Sequence, residues 1–330
     1  MTAQLVIKEA WLCVFFISFL AVGCTSSKFS SIAASTSPTD VPEEVTTPTN
    51  HAPNHASSSE LYGRIEQISQ AAQGQVGVAA TVLETGESIT LNATQRFPMQ
   101  SVYKFPIGMA VLAQVDQGRL QLEQRVRVEK SDFVSERQHS PIRDENPQGV
   151  ELSLAELLRY MVSESDGTAC DVLLRLVGGP TVVTEYLRDL GVNGIVVADT
   201  EKEIGQDQAV QYRNWATPEA MVVLLRALQE GQGLSDSSQA LLLRLMTETP
   251  TGLRRIKGLL PAGTVVAHKT GSSRTVNGVT AATNDAGLVT LPNGQHLAIA
   301  VFVSDSRADY AVREEVIARV ARAAWDEWGQ

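Results

Sequence analysis

Strand-forming segments stand at both ends of the foldable part of this sequence, and amphipathic helices fill its middle. Near the N-terminal end, "LYGRIEQISQAA" carries Leu61, Ile65 and Ile68 at helical spacing. "VGVAATVLE" and "ESITLNA" then read as two strands joined by a tight turn at Thr85-Gly86. In the middle, "LSLAELLRYMV", "ACDVLLRLV" and "PEAMVVLLRALQEG" place apolar residues at i, i+3 and i+4. Ser153 to Glu156 resembles a capping box opening one of these helices, and Gly231 suits the end of another. Strands return in "TVVAHKTG", "DAGLVTL" and "HLAIAVFVSD", with Pro292, Asn293 and Gly294 marking a hairpin between the last two. The closing "REEVIARVARAAWDEW" aligns Val316, Val320, Ala324 and Trp328 in one stripe. This order predicts an α/β (α+β) fold, an antiparallel sheet drawn from both chain ends and flanked by helices, with an all-helical lobe inserted. The sheet lobe would take about 60–97 and 252–330 and the helical lobe about 98–251, with the ligand site in the cleft between them.

Of the 330 residues, 43% are apolar and 19% charged, enough for a substantial core. The formal charge of -10 argues against nucleic acid as a partner, since phosphate binding needs a basic surface. There is no GxxxxGK loop and no HExxH pair, and none of the five histidines stands at metal-ligand spacing. No metal and no cofactor is expected.

The first segment has its own logic. Lys8 precedes "AWLCVFFISFLAV", too short an apolar run for a stop-transfer helix but suited to a signal peptide over 1–23. It ends in "AVGC", which resembles the lipobox of bacterial lipoproteins. That resemblance implies lipidation of Cys24, a periplasmic location and membrane contact through the lipid anchor alone. Ordinary signal cleavage nearby, or an uncleaved anchor, is the alternative, because Glu9 weakens the basic n-region. Residues 24–59, rich in Ser, Thr, Pro and Ala, read as a flexible tether ahead of a folded domain over 60–330. Cys170 is then alone in the mature chain, which excludes a disulfide framework and suits a small buried helix residue.

The chemistry is carried by short motifs. In "FPMQSVYKFPIG", Ser101 and Lys104 would share a face at a helix start. A serine hydroxyl is a poor nucleophile unless a base or a nearby charge assists it. By itself the pair means little, since Ser-x-x-Lys arises by chance about once in a chain this long, and on that evidence a helix-surface lysine is the better reading. Pro106 is compatible with a helix only if that turn is still its start. Two triplets change the odds, "SDG" at Ser165 to Gly167 and "KTG" at Lys269 to Gly271, each expected by chance in roughly one chain in ten or fewer. The set resembles the SxxK, SDN and KTG signature of class A β-lactamases and penicillin-binding proteins. From about Glu60 to Trp328, "VSESDGTACDVLLRLVGG", "VQYRNWATPEAM", "VVAHKTGSS" and "AATNDAGLVTLPNG" are similar to the PER and VEB extended-spectrum branch of the class A enzymes.

That resemblance implies a β-lactamase/transpeptidase-like fold, monomeric, acting on β-lactams by a serine acyl-enzyme. Ser101 would be the nucleophile, Lys104 its proton partner, and Ser165 the donor to the departing lactam nitrogen. The backbone N–H groups of Ser101 and Ser272 would form the oxyanion hole. Lys269, Thr270, Gly271 and Ser272 would hold the substrate carboxylate, with Gly167 beside the substrate's amide side chain. In "TEKEIGQD", Glu201 falls at the position of the water-activating glutamate, against the plain reading of an acidic surface loop. Gly167 and Gly205 stand where the family has asparagines. Asp199 and Asn214 occupy the positions of a loop-closing Arg–Asp pair that they cannot form. His139 falls where relatives place an aromatic at the cleft mouth, but a solvated loop histidine is the preferred reading. Arg274 is a candidate for the carboxylate-binding arginine by its nearness to KTG alone. A penicillin-binding D,D-peptidase and a catalytically silent cell-wall-binding lipoprotein are the competing functions.

Overall fold

Five strands form one antiparallel sheet in the order Ser88–Leu91, Gln75–Val82, His296–Ser304, Thr283–Thr290, Val266–Ser272. The computed structural model describes residues 55–330, and buries both faces of this sheet. The signal segment, Cys24 and most of the tether lie outside the described residues. The first described helix, His55–Gln70, already begins before Glu60, where the domain was expected to start.

The central strand His296–Ser304 is an almost unbroken apolar run, as expected of a strand covered on both sides. Its alternate residues go to different cores. Leu297, Ile299, Val301 and Val303 meet the helices His55–Gln70 and Tyr310–Trp328 through Leu61, Ile65, Val316 and Val320. Ala298, Ala300 and Phe302 face the larger core of the helical part. Small residues on that face let helices approach closely. A Cβ at Gly77 would stand 2.3 Å from the Phe97 ring and 2.8 Å from Pro218.

The helix Pro218–Gln229 packs on that sheet face, so the boundary between the expected lobes is a packed interface. Thr217 caps the helix start, and Gly231, at φ +69°, ends it. There the Gln232 N–H reaches the Ala227 carbonyl and the Gly231 N–H that of Leu228, the paired bonds of a Schellman stop. The capping box of Ser153 and Glu156 opens the helix Leu154–Val162.

At the centre of the helical part lies Lys104–Asp116, apolar nearly all round and buried from Lys104 to Ala113. Pro106 falls in its first turn, where a missing N–H costs little. Ser101 sits just before it, in the 3-10 turn Gln100–Tyr103. Cys170 is fully buried on the helix Gly167–Val177, its thiol 3.3 Å from the Tyr103 hydroxyl.

Candidate active site

Two buried lysines meet two serines where the 3-10 turn, the edge strand and the Ser165 loop converge. The Lys104 Nζ donates to Ser101 Oγ at 2.9 Å and to the Ser165 carbonyl at 2.9 Å. It also stands 2.6 Å from Glu201 Oε1. Burial acts to lower the Lys104 pKa, but Glu201 and other nearby acidic groups outweigh it and hold the ammonium above the ordinary lysine value. The lysine is thus a cation at rest, paired and almost fully buried.

Lys269 takes the opposite course. Its Nζ donates to Ser165 Oγ at 2.9 Å and to the Thr270 carbonyl at 3.2 Å, with no carboxylate in contact among the described residues. Burial and the Lys104 ammonium bring it down to about 7. Ser165 therefore stands between two lysines, its carbonyl on one and its hydroxyl on the other. That pose uses a left-handed backbone, φ +63°, uncommon outside glycine.

The KTG triplet lies within the edge strand Val266–Ser272, which runs on through it. Gly271 is demanded by proximity. A Cβ there would lie 2.3 Å from the Met99 carbonyl oxygen and 3.1 Å from the Val102 nitrogen. The strand thereby presses against the turn bearing Ser101 and brings Ser272 alongside it. Buried Asn284 fastens the next strand to the same segment, donating to the carbonyls of Pro98 at 2.7 Å and Met99 at 3.2 Å. Thr270 Oγ1 pairs with Thr251 Oγ1 at 2.9 Å.

Glu201 is buried and opens the short helix Glu201–Ile204, capped by Thr200. Asp171 accepts the backbone N–H of Glu201 at 2.7 Å and of Lys202 at 3.0 Å. Burial and the nearby Glu201 charge nevertheless raise Asp171 to about 7. The loop closes without an Arg–Asp pair at Asp199 and Asn214. Fully buried Asn214 accepts the N–H groups of Ala198 at 2.7 Å and Asp199 at 2.9 Å, and donates to the Asp199 carbonyl at 2.9 Å. Asp199 pairs instead with the adjacent Arg213, at 3.2 Å.

The two glycine departures have structural partners. Against Gly167, a Cβ would meet the His139 carbonyl at 3.2 Å and Val134 at 3.3 Å, so the neighbouring loop occupies the room of a larger side chain. Beside Gly205 lies the Gln138 amide, whose nitrogen donates to the Glu201 carbonyl. His139 is exposed, with Nε2 2.9 Å from the Glu164 carbonyl.

Arg274 is exposed, and another arginine reaches the site. Buried Arg255 donates to Ser272 Oγ at 2.6 Å and to the carbonyls of Gly271 and Asn284, and Glu314 balances its charge at 3.2 Å. Arg255, Asp171, Gln138 and Thr251 were not singled out from the sequence. Asp171 alone left a trace, as an acid inside the apolar run "ACDVLLRLV".

The model of the β-lactamase enzyme family matches residues 60–328. The chain belongs to that family. Extended-spectrum β-lactamase PER-1 of Pseudomonas aeruginosa is 44% identical over 272 residues, 82% of this chain and 88% of its own. β-Lactamase VEB-1 of the same organism is 40% identical over 275 residues, 83% and 92% of the two chains. Among solved structures, a β-lactamase from Chitinophaga pinensis is 48% identical with a TM-score of 0.79, covering 81% of this chain and 98% of its own. The TLA-1 extended-spectrum β-lactamase gives 43% and 0.81, covering 83% and 100%. This β-lactamase is a class A member, with the mixed α/β fold of that class.

Proposed function

We propose that this class A enzyme hydrolyses β-lactams, penicillins and cephalosporins, through an acyl-enzyme on Ser101 cleared by water that Glu201 activates. The observation that carries this reading is the continuous contact Ser101–Lys104–Glu201 beside the contact Lys269–Ser165. Lys104 is a cation at rest and cannot accept a proton until it gives one up. Passing one of its protons to Glu201 at 2.6 Å leaves an amine 2.9 Å from Ser101 Oγ. That amine takes the hydroxyl proton as Ser101 Oγ attacks the lactam carbonyl, so the net transfer is from Ser101 to Glu201.

The tetrahedral oxyanion falls to the N–H groups of Ser101 and Ser272, brought alongside by the tight fit at Gly271. When the C–N bond breaks, Ser165 Oγ gives its proton to the departing nitrogen. Lys104 resupplies Ser165 with one of its own, and Glu201 returns its proton to Lys104 and is a carboxylate again. The Lys269 ammonium lowers the cost of that step and, with Thr270 and Ser272, receives the substrate carboxylate. Arg255 acts through Ser272, whose hydroxyl it orients. Glu201 then takes a proton from water attacking the ester, and Ser101 Oγ leaves with a proton from Lys104. Glu201 passes its proton to Lys104, which restores the resting enzyme.

A penicillin-binding D,D-peptidase would keep its β-lactam adduct, whereas the buried carboxylate on Lys104 favours turnover. The same proposal includes export, with "AVGC" directing a lipid onto Cys24 and the monomeric enzyme held in the periplasm. Incorporation of labelled fatty acid in whole cells, lost in Cys24→Ala, is its test. For the activity, purified enzyme is expected to open a chromogenic cephalosporin and Ser101→Ala is not. Folded wild-type protein without turnover contradicts the reading.

A further inference from the structure

The backbone of Glu201 is held from two sides. Asp171, on the helix Gly167–Val177, accepts its N–H at 2.7 Å. From the loop before His139, the side-chain amide of Gln138 donates to its carbonyl. That carbonyl also accepts the Gly205 N–H at 2.9 Å, so Gln138 reinforces the single helical turn that carries Glu201. Neither bond uses the carboxylate, which stands on Lys104.

The Gln138 amide is itself fixed before it reaches Glu201. Its Oε1 accepts the Ser135 hydroxyl at 2.9 Å and the Ser135 N–H at 3.3 Å. The Gln138 N–H closes the same turn on the Ser135 carbonyl at 2.9 Å. Arg143 gathers this turn, donating to the carbonyls of Val134 at 3.3 Å, Ser135 at 2.5 Å and Gln138 at 3.0 Å. A side chain presented this way gives up little further freedom when it docks. Lys202 adds a second bridge between the same two loops, its Nζ donating to the Ser131 carbonyl at 2.5 Å.

Gly205 makes the room. Its backbone is ordinary helix, φ −71°, which any residue adopts, so conformation does not demand glycine there. Space does. A Cβ would stand 2.7 Å from Gln138 Cδ and 3.0 Å from Nε2, and would push the amide off the Glu201 carbonyl.

We propose that Gln138 is a positioning residue for deacylation, setting the place of the Glu201 carboxylate through the backbone carbonyl, with Gly205 as its socket. That role presupposes the reading of Glu201 as the base for water. The two half-reactions depend on the placement unequally. During acylation the carboxylate works on Lys104, an ammonium that attracts it over a range of positions. During deacylation its partner is a neutral water, aligned by geometry alone, and small displacements cost rate steeply.

The test is stopped-flow acylation and deacylation with one penicillin. It uses wild type, Gln138→Ala, Gln138→Met, Gly205→Ala, Glu201→Gln and the pairwise combinations with Gln138→Ala. Gln138→Met keeps the length of the side chain and loses the donor. Both Gln138 variants are expected to slow deacylation about tenfold and acylation by less than about threefold. Gly205→Ala should do the same, and Gln138→Ala/Gly205→Ala should be no slower than Gln138→Ala, because the Cβ then meets no amide. Adding Gln138→Ala to Glu201→Gln should slow decay no further, since Gln138 acts through that carboxylate. Deacylation within about twofold of wild type in both Gln138 variants overturns the positioning role. So does equal slowing of the two steps, which marks a contact that only holds the loop together. Losses that multiply in Gln138→Ala/Gly205→Ala overturn the pairing of glutamine with glycine. Any of these results, with Glu201→Gln still keeping its adduct, leaves the hydrolase reading standing. An adduct that decays as fast in Glu201→Gln as in wild type overturns both.

Discussion

The Lys104 ammonium lies 2.6 Å from a Glu201 carboxylate oxygen, with both side chains almost out of solvent. Such a pair is costly to bury and costlier to break, because the remaining charge is left without compensation. Its position between the Ser101 hydroxyl and the loop couples Ser101 to the conformation that holds Glu201.

Lys269 gives the first expectation. A lysine lowered to about 7 loses its proton well before an ordinary one, and kcat/KM reports the free enzyme. For an anionic β-lactam, kcat/KM is expected to fall as pH rises through about 7, as the cation proposed to receive the substrate carboxylate is lost. Lys269→Arg keeps a charge at every working pH and should flatten that limb. A wild-type profile level to pH 9.5 contradicts it. Stability moves the other way. Between about 7 and the ordinary lysine value of about 10.4 the unfolded chain binds more protons, so this group's contribution to stability rises with pH.

Asn214 stands for the loop. Asn214→Leu removes three hydrogen bonds and leaves two N–H groups and a carbonyl without their partner. The cost is on the order of 3 kcal/mol, at about 1 kcal/mol for each bond. Denaturant titration should show that loss. Because the same loop bears Glu201, stopped-flow measurements should show deacylation slowed more than acylation. Equal slowing of both steps would mean that the loop positions the nucleophile as much as the water base.

Gly271→Ala tests the contact between strand and turn. Its Cβ would overlap the Met99 carbonyl oxygen, so strand and turn must separate. A displacement on the order of 1 Å can cost about 100-fold in rate. Acylation is expected to fall by about that factor, with a stability loss of only about 1–3 kcal/mol. Full activity in a folded Gly271→Ala variant would refute the tight fit.

Much of this was legible in the sequence because it is local. Alternating strands, the Ser153 capping box, the Gly231 stop and the hairpin at Gly294 each depend on a few neighbouring residues. The motif residues were legible too, since Ser101, Ser165, Glu201 and Lys269 are marked by short patterns, and folding gathers them around the two lysines. The supporting residues were not. Arg255 reaches Ser272, and Asp171 the N–H of Glu201, only through tertiary contacts that no spacing encodes. Asn214 shows the limit most clearly. Matching it to a charged pair that cannot form leaves the loop's conformation open, but an amide can accept two N–H groups and donate to a carbonyl, which ties the turn beside the Asp199–Arg213 pair.

The most direct measurement is a time course of intact protein mass after mixing with a penicillin, on wild type, Ser101→Ala and Glu201→Gln. A transient adduct is expected in the wild type and none in Ser101→Ala. In Glu201→Gln an adduct of one substrate mass should form and persist, its decay slowed by about 100-fold or more. An adduct that decays equally fast with and without the Glu201 carboxylate, or a stable adduct in the wild type, would contradict a hydrolase that clears Ser101 through Glu201.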